Sequence, residues 1–223
     1  HEKPTLNQLV EKETPAKGDE NSRYCLFRET RMEKIDDIIK QIFRESSQLK
    51  EAFLRDNLGK IIRAVDVITD ALKKGNKILL FGNGGSAADA QHIAGEFVNR
   101  FLIERPPLPA IALTTDTSVL TSIGNDYDFS EIFSKQIRAL GQEGDIAWGF
   151  STSGGSVNVV KALEAAKKKG LVTIGFTGRD GGAVGTISDH HLNVPSSVTP
   201  RVQEVHIVVS HAICELVDWK LFQ

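Results

Sequence analysis

Residues 78–86 read Ile-Leu-Leu-Phe-Gly-Asn-Gly-Gly-Ser, and this stretch decides the fold. The four apolar residues predict a buried strand, and the glycines after them allow a tight turn whose backbone N–H groups can face a ligand. Ser86 then opens a predicted helix, and its hydroxyl offers a further donor. Because the free N–H groups and positive dipole end of a helix attract anions, the stretch predicts a strand, a phosphate-binding loop and a helix.

Short apolar runs alternate with helical patterns along the rest of the chain. Strands are predicted near 77–82, 109–113, 145–150, 171–176 and 190–194, and helices at 86–101, through 140, at 156–169 and at 201–221. This alternation predicts an α/β fold in three layers, a parallel sheet with helices on both faces and ligands outside the carboxyl ends of its strands. Two amphipathic helices, Ile35 to Phe53 and Ile61 to Leu72, are expected before the first strand.

Composition narrows the class of protein. The 223 residues suit one α/β domain, and 27 Lys plus Arg against 29 Asp plus Glu leave no basic excess for direct nucleic-acid binding. Charges interrupt every apolar segment before it reaches the length of a bilayer span. Cys25 and Cys214 show no metal-type spacing and fit a reducing compartment. We therefore expect a cytoplasmic protein that contacts neither nucleic acid nor membrane.

The first 31 residues differ from those that follow. They contain prolines and a glycine among mixed charges, show no sustained period, and precede Met32, the only methionine. We expect residues 1–31 to be a leader or tag-like extension and residues 32–223 to form a single domain. The alternative is an arm that docks on the domain through Tyr24 and Phe27.

Hydroxyl groups follow a second predicted strand. Residues 151–156 read Ser-Thr-Ser-Gly-Gly-Ser at the start of a helix, and threonines follow two further strands. One such cluster is usually an ordinary helix N-cap, but several at one sheet edge favour a shared anion site. Residues 82–86 lack both the lysine of a triphosphate loop and the third glycine of a dinucleotide fingerprint. The expected ligand is therefore smaller, such as a sugar phosphate held by one end.

A candidate acid/base or metal pair lies on the helix after the first loop. His92 and Glu96 are four residues apart and share a helix face, so both can reach one ion or one substrate atom. Such a pair by itself is more often a packing pair, and the adjacent phosphate loop favours the functional interpretation. On the last helix, Gln203 and His206 share a face, so spacing alone leaves His206 and His211 as competing partners.

Four motifs together resemble the sugar isomerase (SIS) domain family, and within it the phosphoheptose isomerases. They are Gly-Asn-Gly-Gly-Ser at 82–86, Gly-Asn-Asp at 124–126, Ser-Thr-Ser-Gly at 151–154 and Arg-Val-Gln-Glu at 201–204. The resemblance runs from about Met32 to the C-terminus. It implies a flavodoxin-like sheet, a homotetramer with sites at subunit interfaces, and conversion of sedoheptulose 7-phosphate to D-glycero-D-manno-heptose 7-phosphate. This reaction would serve bacterial surface heptose and lipopolysaccharide synthesis.

The resemblance also implies the residues of the site. One Zn²⁺ per subunit would be bound by His92, Glu96, Gln203 and His211, with Glu96 as the base and His211 as the acid of an enediol mechanism. Substrate contacts would come from Asn83, Gly84, Gly85, Asn125, Asp126, Ser151, Thr152, Ser153 and Ser156, together with Glu96 and Gln203.

Two other functions remain open from the same sequence. Residues 91–101 also resemble the DnaA initiator-associating protein, a noncatalytic SIS relative. That regulator lacks the ligand matching His211 and departs from Ser-Thr-Ser-Gly, whereas this chain has both, so an enzyme is preferred. A SIS sugar-phosphate sensor would keep the hydroxyl loops without needing His92, Glu96 and His211 together.

Overall fold

The computed structural model describes residues 20–223, with side chains from Met32 onward. The predicted extension 1–31 therefore lies largely outside the described residues. The chain divides into two compact units, 1–44 and 45–223, and the described part of the first is helical.

The elements follow in chain order. They are α1 (Glu20–Lys73), β1 (Ile78–Gly82), α2 (Gly85–Val98), β2 (Ala110–Ala112), α3 (Thr117–Asp126), a 3-10 turn (Phe129–Glu131), α4 (Ile132–Leu140), β3 (Ile146–Ser151), α5 (Val157–Lys168), β4 (Val172–Gly178), α6 (Gly182–Ile187), β5 (His190–Val194) and α7 (Thr199–Phe222). No helix among residues 20–223 combines the length and the apolar character that a bilayer span needs.

The five strands form one parallel sheet in the order β2-β1-β3-β4-β5. This is the flavodoxin-like order. The chain adds β2 on one side of β1 and then β3, β4 and β5 on the other, so the strand order, not the strand direction, reverses between β1 and β3. Gly82 at the end of β1 pairs with Phe150 near the end of β3, so the two glycine- and serine-rich loops leave the sheet side by side. The predicted α/β fold is confirmed, and both candidate anion loops lie at the switch point where such sheets bind ligands.

Alternating strand residues bury two separate cores. Ile78 and Leu80 pack in a cluster with α2, α7 and the part of α1 in the second unit. Leu79 and Phe81 face the opposite cluster, formed with α3, α4, α5 and α6. Because successive strand side chains point to opposite faces, this apolar run needed cover on both sides, as predicted.

The two helices predicted before the sheet are one continuous helix, α1. The prediction of two separate helices was wrong. Gly59 lies between the two predicted helices, and a single glycine costs a helix only about 1 kcal/mol, which is not enough to end it. A Cβ at Gly59 would meet only the Arg63 side chain, at 3.6 Å. Asn57 Nδ2 donates back to the Phe53 carbonyl at 2.9 Å within the same helix.

The helix predicted at 86–101 ends earlier, at Val98. The Asn99 N–H closes the last turn by donating to the Gly95 carbonyl at 2.9 Å. The carbonyls of Glu96 and Phe97 instead accept hydrogen bonds from the Arg105 guanidinium. The Arg105 side chain, which lies outside the helix, thus satisfies the end of α2. The periodicity of apolar residues within the helix does not predict this contact.

Candidate active site

The N-termini of α2 and α5 both open at the switch point of the sheet. The N-cap of α2 is Gly84, whose φ of 56° is favourable for glycine. The N-cap of α5 is Ser156, and neither N-cap makes a side-chain cap hydrogen bond. Two helix termini free of side-chain caps, at adjacent strand ends, form an arrangement suited to a phosphate group.

An amide pair ties the two loops together. The side chains of Asn83 and Asn158 donate to each other reciprocally, at 2.9 Å in both directions. Asn83 was predicted to contact substrate, and its side chain serves in this structure to fix the first loop to α5. Asn158 was not predicted, because its role depends on a partner 75 residues away.

The serine loop is closed by its own hydroxyls. The hydroxyl oxygens of Ser151 and Ser156 lie 2.8 Å apart, and the Ser156 N–H donates to Ser151 Oγ at 3.3 Å. The Gly155 N–H donates to Ser153 Oγ at 3.2 Å. Ser151 is buried and Ser153 is exposed, with Thr152 half-buried between them. The loop is therefore preorganised, and Ser153 is its most accessible hydroxyl.

Asn125 and Asp126 lie on α3, outside these two loops in the chain. Both are exposed at the C-terminal end of α3, where Asn125 Nδ2 donates to Asp126 Oδ1 at 2.9 Å. Among the described residues, none of the hydrogen bonds joins them to another candidate residue.

The remaining hydroxyl clusters serve the fold. Asp116 is the N-cap of α3 and accepts a hydrogen bond from the Val119 N–H. The Thr177 hydroxyl donates to Asn193 Oδ1 at 2.8 Å and lies 2.7 Å from His191 Nε2. The ordinary structural interpretation therefore holds for these groups, and the loops after β1 and β3 remain the candidate anion site.

The structure brings together three of the four predicted metal ligands. His92 Nε2 lies 2.9 Å from Glu96 Oε1 on α2, and His211 Nε2 on α7 lies 3.4 Å from His92 Nε2. One donor atom from each of the three residues falls within 4.8 Å of the other two. His92 is exposed and the other two are half-buried, so the cluster faces outward from the chain.

The geometry of this cluster fits a divalent cation. Zinc–nitrogen bonds of about 2.0–2.1 Å at a tetrahedral angle put two ligand nitrogens about 3.3 Å apart, close to the 3.4 Å between His92 and His211. Two imidazoles and one carboxylate are also a donor set that zinc accepts, commonly with an open fourth position in enzymes. His92 Nε2 lies near both Glu96 Oε1 and His211 Nε2, and a ring nitrogen carries either one proton or one lone pair. It therefore cannot hydrogen-bond to both, whereas a cation between the three atoms would bind all of them.

Gln203, the fourth predicted ligand, lies against the first anion loop. A Cβ added at Gly85 would come 2.3 Å from Gln203 Nε2. A side chain at position 85 would therefore displace the Gln203 amide, and Gln203 connects the α2 N-terminus to α7. Ser86 is buried one residue further on, 2.9 Å from where a Gly82 Cβ would lie.

His211 has a neighbour that sequence reasoning missed. The Phe101 ring stacks on the His211 ring with centroids 5.4 Å apart at 26°. Burial, followed by the nearby His92, lowers the pKa of His211, while Glu96 opposes the shift. A low pKa keeps the imidazole neutral and able to bind a metal. Phe101 follows the end of α2 with no periodic signal, so only its packing identifies it.

His206, the competitor of His211, is structural. It is 1% exposed, donates from Nε2 to the Thr177 carbonyl at 3.0 Å, and packs on Phe176. Five residues separate the two histidines, which places them about 140° apart around the helix axis. Only one of them can face His92, and in the structure it is His211.

The burial of His206 predicts a pH dependence of stability. Burial lowers its pKa from 6.5 to about 4. In the unfolded chain His206 takes up a proton below pH 6.5, whereas in the folded chain it does so only near pH 4. The unfolded state therefore binds more protons between these pH values, and the free energy of unfolding falls as the pH is lowered through this range. The expected loss is about 3 kcal/mol between pH 7 and pH 4. Urea unfolding at several pH values should show this slope in the wild type, and a His206→Gln variant with an equal slope would contradict it.

The sequence matches the SIS domain family over residues 41–178. It is 55% identical over 190 residues to the phosphoheptose isomerase of Thermodesulfovibrio yellowstonii, covering 85% of this chain and 94% of that protein. It is 56% identical over 180 residues to the phosphoheptose isomerase of Aquifex aeolicus, with 81% and 94% covered. The chain belongs to the phosphoheptose isomerase branch of the SIS domain family.

A solved structure supports the same assignment. The phosphoheptose isomerase from Neisseria gonorrhoeae matches this SIS domain with a TM-score of 0.79 and 44% identity, over 83% of this chain and 99% of that one. Family, fold and strand order therefore agree with the resemblance that the loop motifs indicated.

The contact between Gly85 and Gln203 in this SIS domain gives a test of the site. Gly85→Ala is expected to displace the Gln203 amide and weaken zinc affinity by about 10-fold, as loss of a supporting contact does in metal sites. The melting temperature should change little, because a flexible side-chain end can move aside. Zinc titration and thermal melts measure both quantities.

Gly95→Ala is the matched control on the same helix. Nothing lies within 4 Å of a Cβ at Gly95. This variant should keep zinc affinity and gain up to about 1 kcal/mol of stability from helix propensity. Equal zinc affinity in both variants would show that Gln203 does not act at the site.

Proposed function

We propose that this protein is an aldose–ketose isomerase that converts sedoheptulose 7-phosphate to D-glycero-D-manno-heptose 7-phosphate. One observation carries the proposal. His92, Glu96 and His211 converge further along α2, the helix whose N-terminus opens with that of α5 at the switch point of the sheet. The combination supplies an anchor for a phosphate and groups able to move protons at the other end of a sugar.

The phosphate would be held by the loops after β1 and β3. Backbone N–H groups and hydroxyls suit a phosphate monoester, and Ser153 is the exposed hydroxyl among them. The Asn83–Asn158 pair keeps the two loops at a constant separation. Gln203 lies against the first loop, and we expect it to face the sugar from α7. Asn125 and Asp126, exposed at the end of α3, would contact substrate as the family resemblance implies.

Glu96 is proposed as the base and His211 as the acid. Isomerisation moves a proton between C1 and C2 through an enediol, so one group removes the carbon-bound proton and returns it to the neighbouring carbon. The Glu96 carboxylate can accept that proton. His211 can deliver a proton from Nδ1 to the carbonyl oxygen as the enediol forms, because Nε2 is the nitrogen that faces the metal cluster. A zinc ion bound by His92, Glu96, Gln203 and His211 would polarise the carbonyl as a Lewis acid.

The seven-carbon substrate is supported by the relatives. Proteins at 55% and 56% identity over more than four fifths of this chain bear the name phosphoheptose isomerase. A role in bacterial surface heptose and lipopolysaccharide synthesis follows from that substrate. A cytoplasmic location stays a prediction, which the buried free thiol of Cys214 fits.

We also propose a homotetramer with sites at subunit interfaces. Each of the two units leaves large apolar side chains of α1 exposed. They are Met32, Ile35, Ile38, Ile39, Ile42 and Phe43 in the first unit and Leu54, Leu58 and Ile62 in the second. Exposed apolar surface of this extent favours contact with further copies of the chain. The outward-facing His92 would then be covered by a neighbouring subunit.

A noncatalytic regulator is the less favoured alternative. A partner-binding SIS domain has no chemical need for the converging His92, Glu96 and His211, and neither has a sugar-phosphate sensor. These side chains are the groups that distinguish an enzyme from both.

The deciding experiment incubates the purified protein with sedoheptulose 7-phosphate and follows the aldose product by NMR. The protein is tested after chelator treatment and again with zinc restored, and its mass is measured by light scattering. Product that requires zinc and a mass of four chains are expected. A folded tetramer that forms no product under either condition would contradict the proposal, and a DnaA pull-down would then test the regulator.

A further inference from the structure

A buried arginine follows α2 and has no role in the proposed reaction. Arg105 Nη2 donates to the Glu96 carbonyl and Nη1 to the Phe97 carbonyl, both at 2.8 Å. Nη1 also approaches the carbonyls of Asn99 and Pro106, at 3.4 and 3.2 Å. The last carbonyls of a helix lack partners within it and carry a partial negative charge, so the guanidinium satisfies the end of α2.

The same guanidinium joins α2 to α7. Arg105 Nε donates to Asp218 Oδ1 at 2.8 Å, and the two side chains are only 1% and 5% exposed. Asp218 lies seven residues after His211, almost two full turns, so the two residues share a face of α7. One buried cation therefore connects the backbone of Glu96 to the helix that carries His211.

We propose that Arg105 and Asp218 are positioning residues that fix the register of α7 against α2 and so hold Glu96 and His211 at metal-binding distance. The inference rests on the proposed function, because it assumes that this cluster binds zinc.

The position of α7 against α2 needs directional contacts as well as apolar packing. Burial of Val205, Val209 and Ile213 against the core is non-directional, and the His206 hydrogen bond to the Thr177 carbonyl joins α7 to β4 and not to α2. Metal ligation requires a sharper definition of position, since ligand distances must hold within about 0.2 Å. Charge-assisted hydrogen bonds with a fixed fork geometry define a position in a way that apolar packing cannot.

The test compares variants of this pair with a buried pair elsewhere. Arg105→Lys keeps the positive charge and loses the fork that reaches two carbonyls. Asp218→Asn keeps an oxygen acceptor for Arg105 Nε, and Asp218→Ala removes it. Asp145→Asn is the control, because Asp145, itself 1% exposed, forms an ion pair with Lys77 at the amino-terminal ends of β1 and β3, away from the candidate site.

Four quantities are measured on the full chain. Circular dichroism gives the melting temperature, and the other three are measured at a temperature where each variant is folded. Amide hydrogen exchange in metal-free protein reports the last turn of α2. Chelator competition gives zinc affinity. Steady-state kinetics at saturating zinc give kcat and KM.

Arg105→Lys is expected to speed exchange at the end of α2, weaken zinc affinity by about 10- to 100-fold and lower kcat, as loss of groups that orient ligands does. KM should stay within about twofold, because the phosphate loops are untouched. Asp218→Asn should retain more zinc affinity than Asp218→Ala. Asp145→Asn should lower the melting temperature and leave zinc affinity and kcat unchanged.

Distinct results would overturn the inference. Unchanged exchange in Arg105→Lys would show that Arg105 does not hold α2. Faster exchange with unchanged zinc affinity and kcat would show a purely structural pair, as would equal losses in Asp145→Asn. A wild type that neither binds zinc nor isomerises the sugar phosphate removes the proposed function itself, and the exchange data still decide whether Arg105 holds the helix.

Discussion

Replacing Glu96 with glutamine is expected to lower kcat by about 10³-fold or more, within the range that proton transfer by a positioned side chain contributes. Glutamine keeps the size of the side chain and an oxygen facing His92, but it cannot accept the carbon-bound proton. KM should change less than kcat. The measurement is steady-state isomerisation of sedoheptulose 7-phosphate, with the zinc content of each preparation determined in parallel.

Glu104→Gln is the matched control for this substitution. Its side chain is 88% exposed and forms only a surface pair with Arg100 at 3.6 Å. It should keep wild-type kcat, since exposed pairs contribute little. Retained activity in Glu96→Gln would remove Glu96 as the base, and lost activity with lost zinc would reassign it as a ligand only.

Replacing His211 with asparagine should abolish both zinc binding and turnover. The shorter side chain withdraws one of three donor groups that lie within 4.8 Å of one another. Removing a residue that only orients a metal ligand costs about 10- to 100-fold in affinity. Removing His211, a proposed ligand itself, should cost more. Zinc affinity by chelator competition and product formation by NMR measure the two effects.

His206→Gln provides the contrast on the same helix. This variant should lower stability, because His206 is buried and bonded to the Thr177 carbonyl, while zinc affinity and kcat persist. The opposite pattern, with zinc lost in His206→Gln and kept in His211→Asn, would reverse the assignment of the two histidines.

Prediction succeeded where it depended on neighbours along the chain. The apolar run 78–81 and the glycines after it predicted β1 and its loop because strand burial and turn geometry are local properties. His92 and Glu96 were paired from their four-residue spacing, which any helix converts into a shared face. The prediction of two N-terminal helices failed because the two apolar stripes, 35–53 and 61–72, lie on one continuous helix whose backbone passes through Gly59 without ending.

Residue spacing did not predict contacts that depend on how helices pack against one another. Helix α7 is apolar on nearly every side, so its period does not indicate which histidine faces α2. The Asn83–Asn158 and Arg105–Asp218 pairs are separated by 75 and 113 residues, and no local pattern joins them.

The sequence by itself determined the alternation of strands and helices, the two anion loops and the His92–Glu96 pair. Each of these follows from fixed helix and strand periods acting over a few residues. Residue spacing on α7 left His206 and His211 open, and the family resemblance implied His211. Only the tertiary structure showed that His211 lies against His92, that His206 is buried, and that Arg105 bonds both to the end of α2 and to α7. Those outcomes depend on where whole helices lie against the sheet, which is set by the packing of the folded chain and not by the spacing of residues along it.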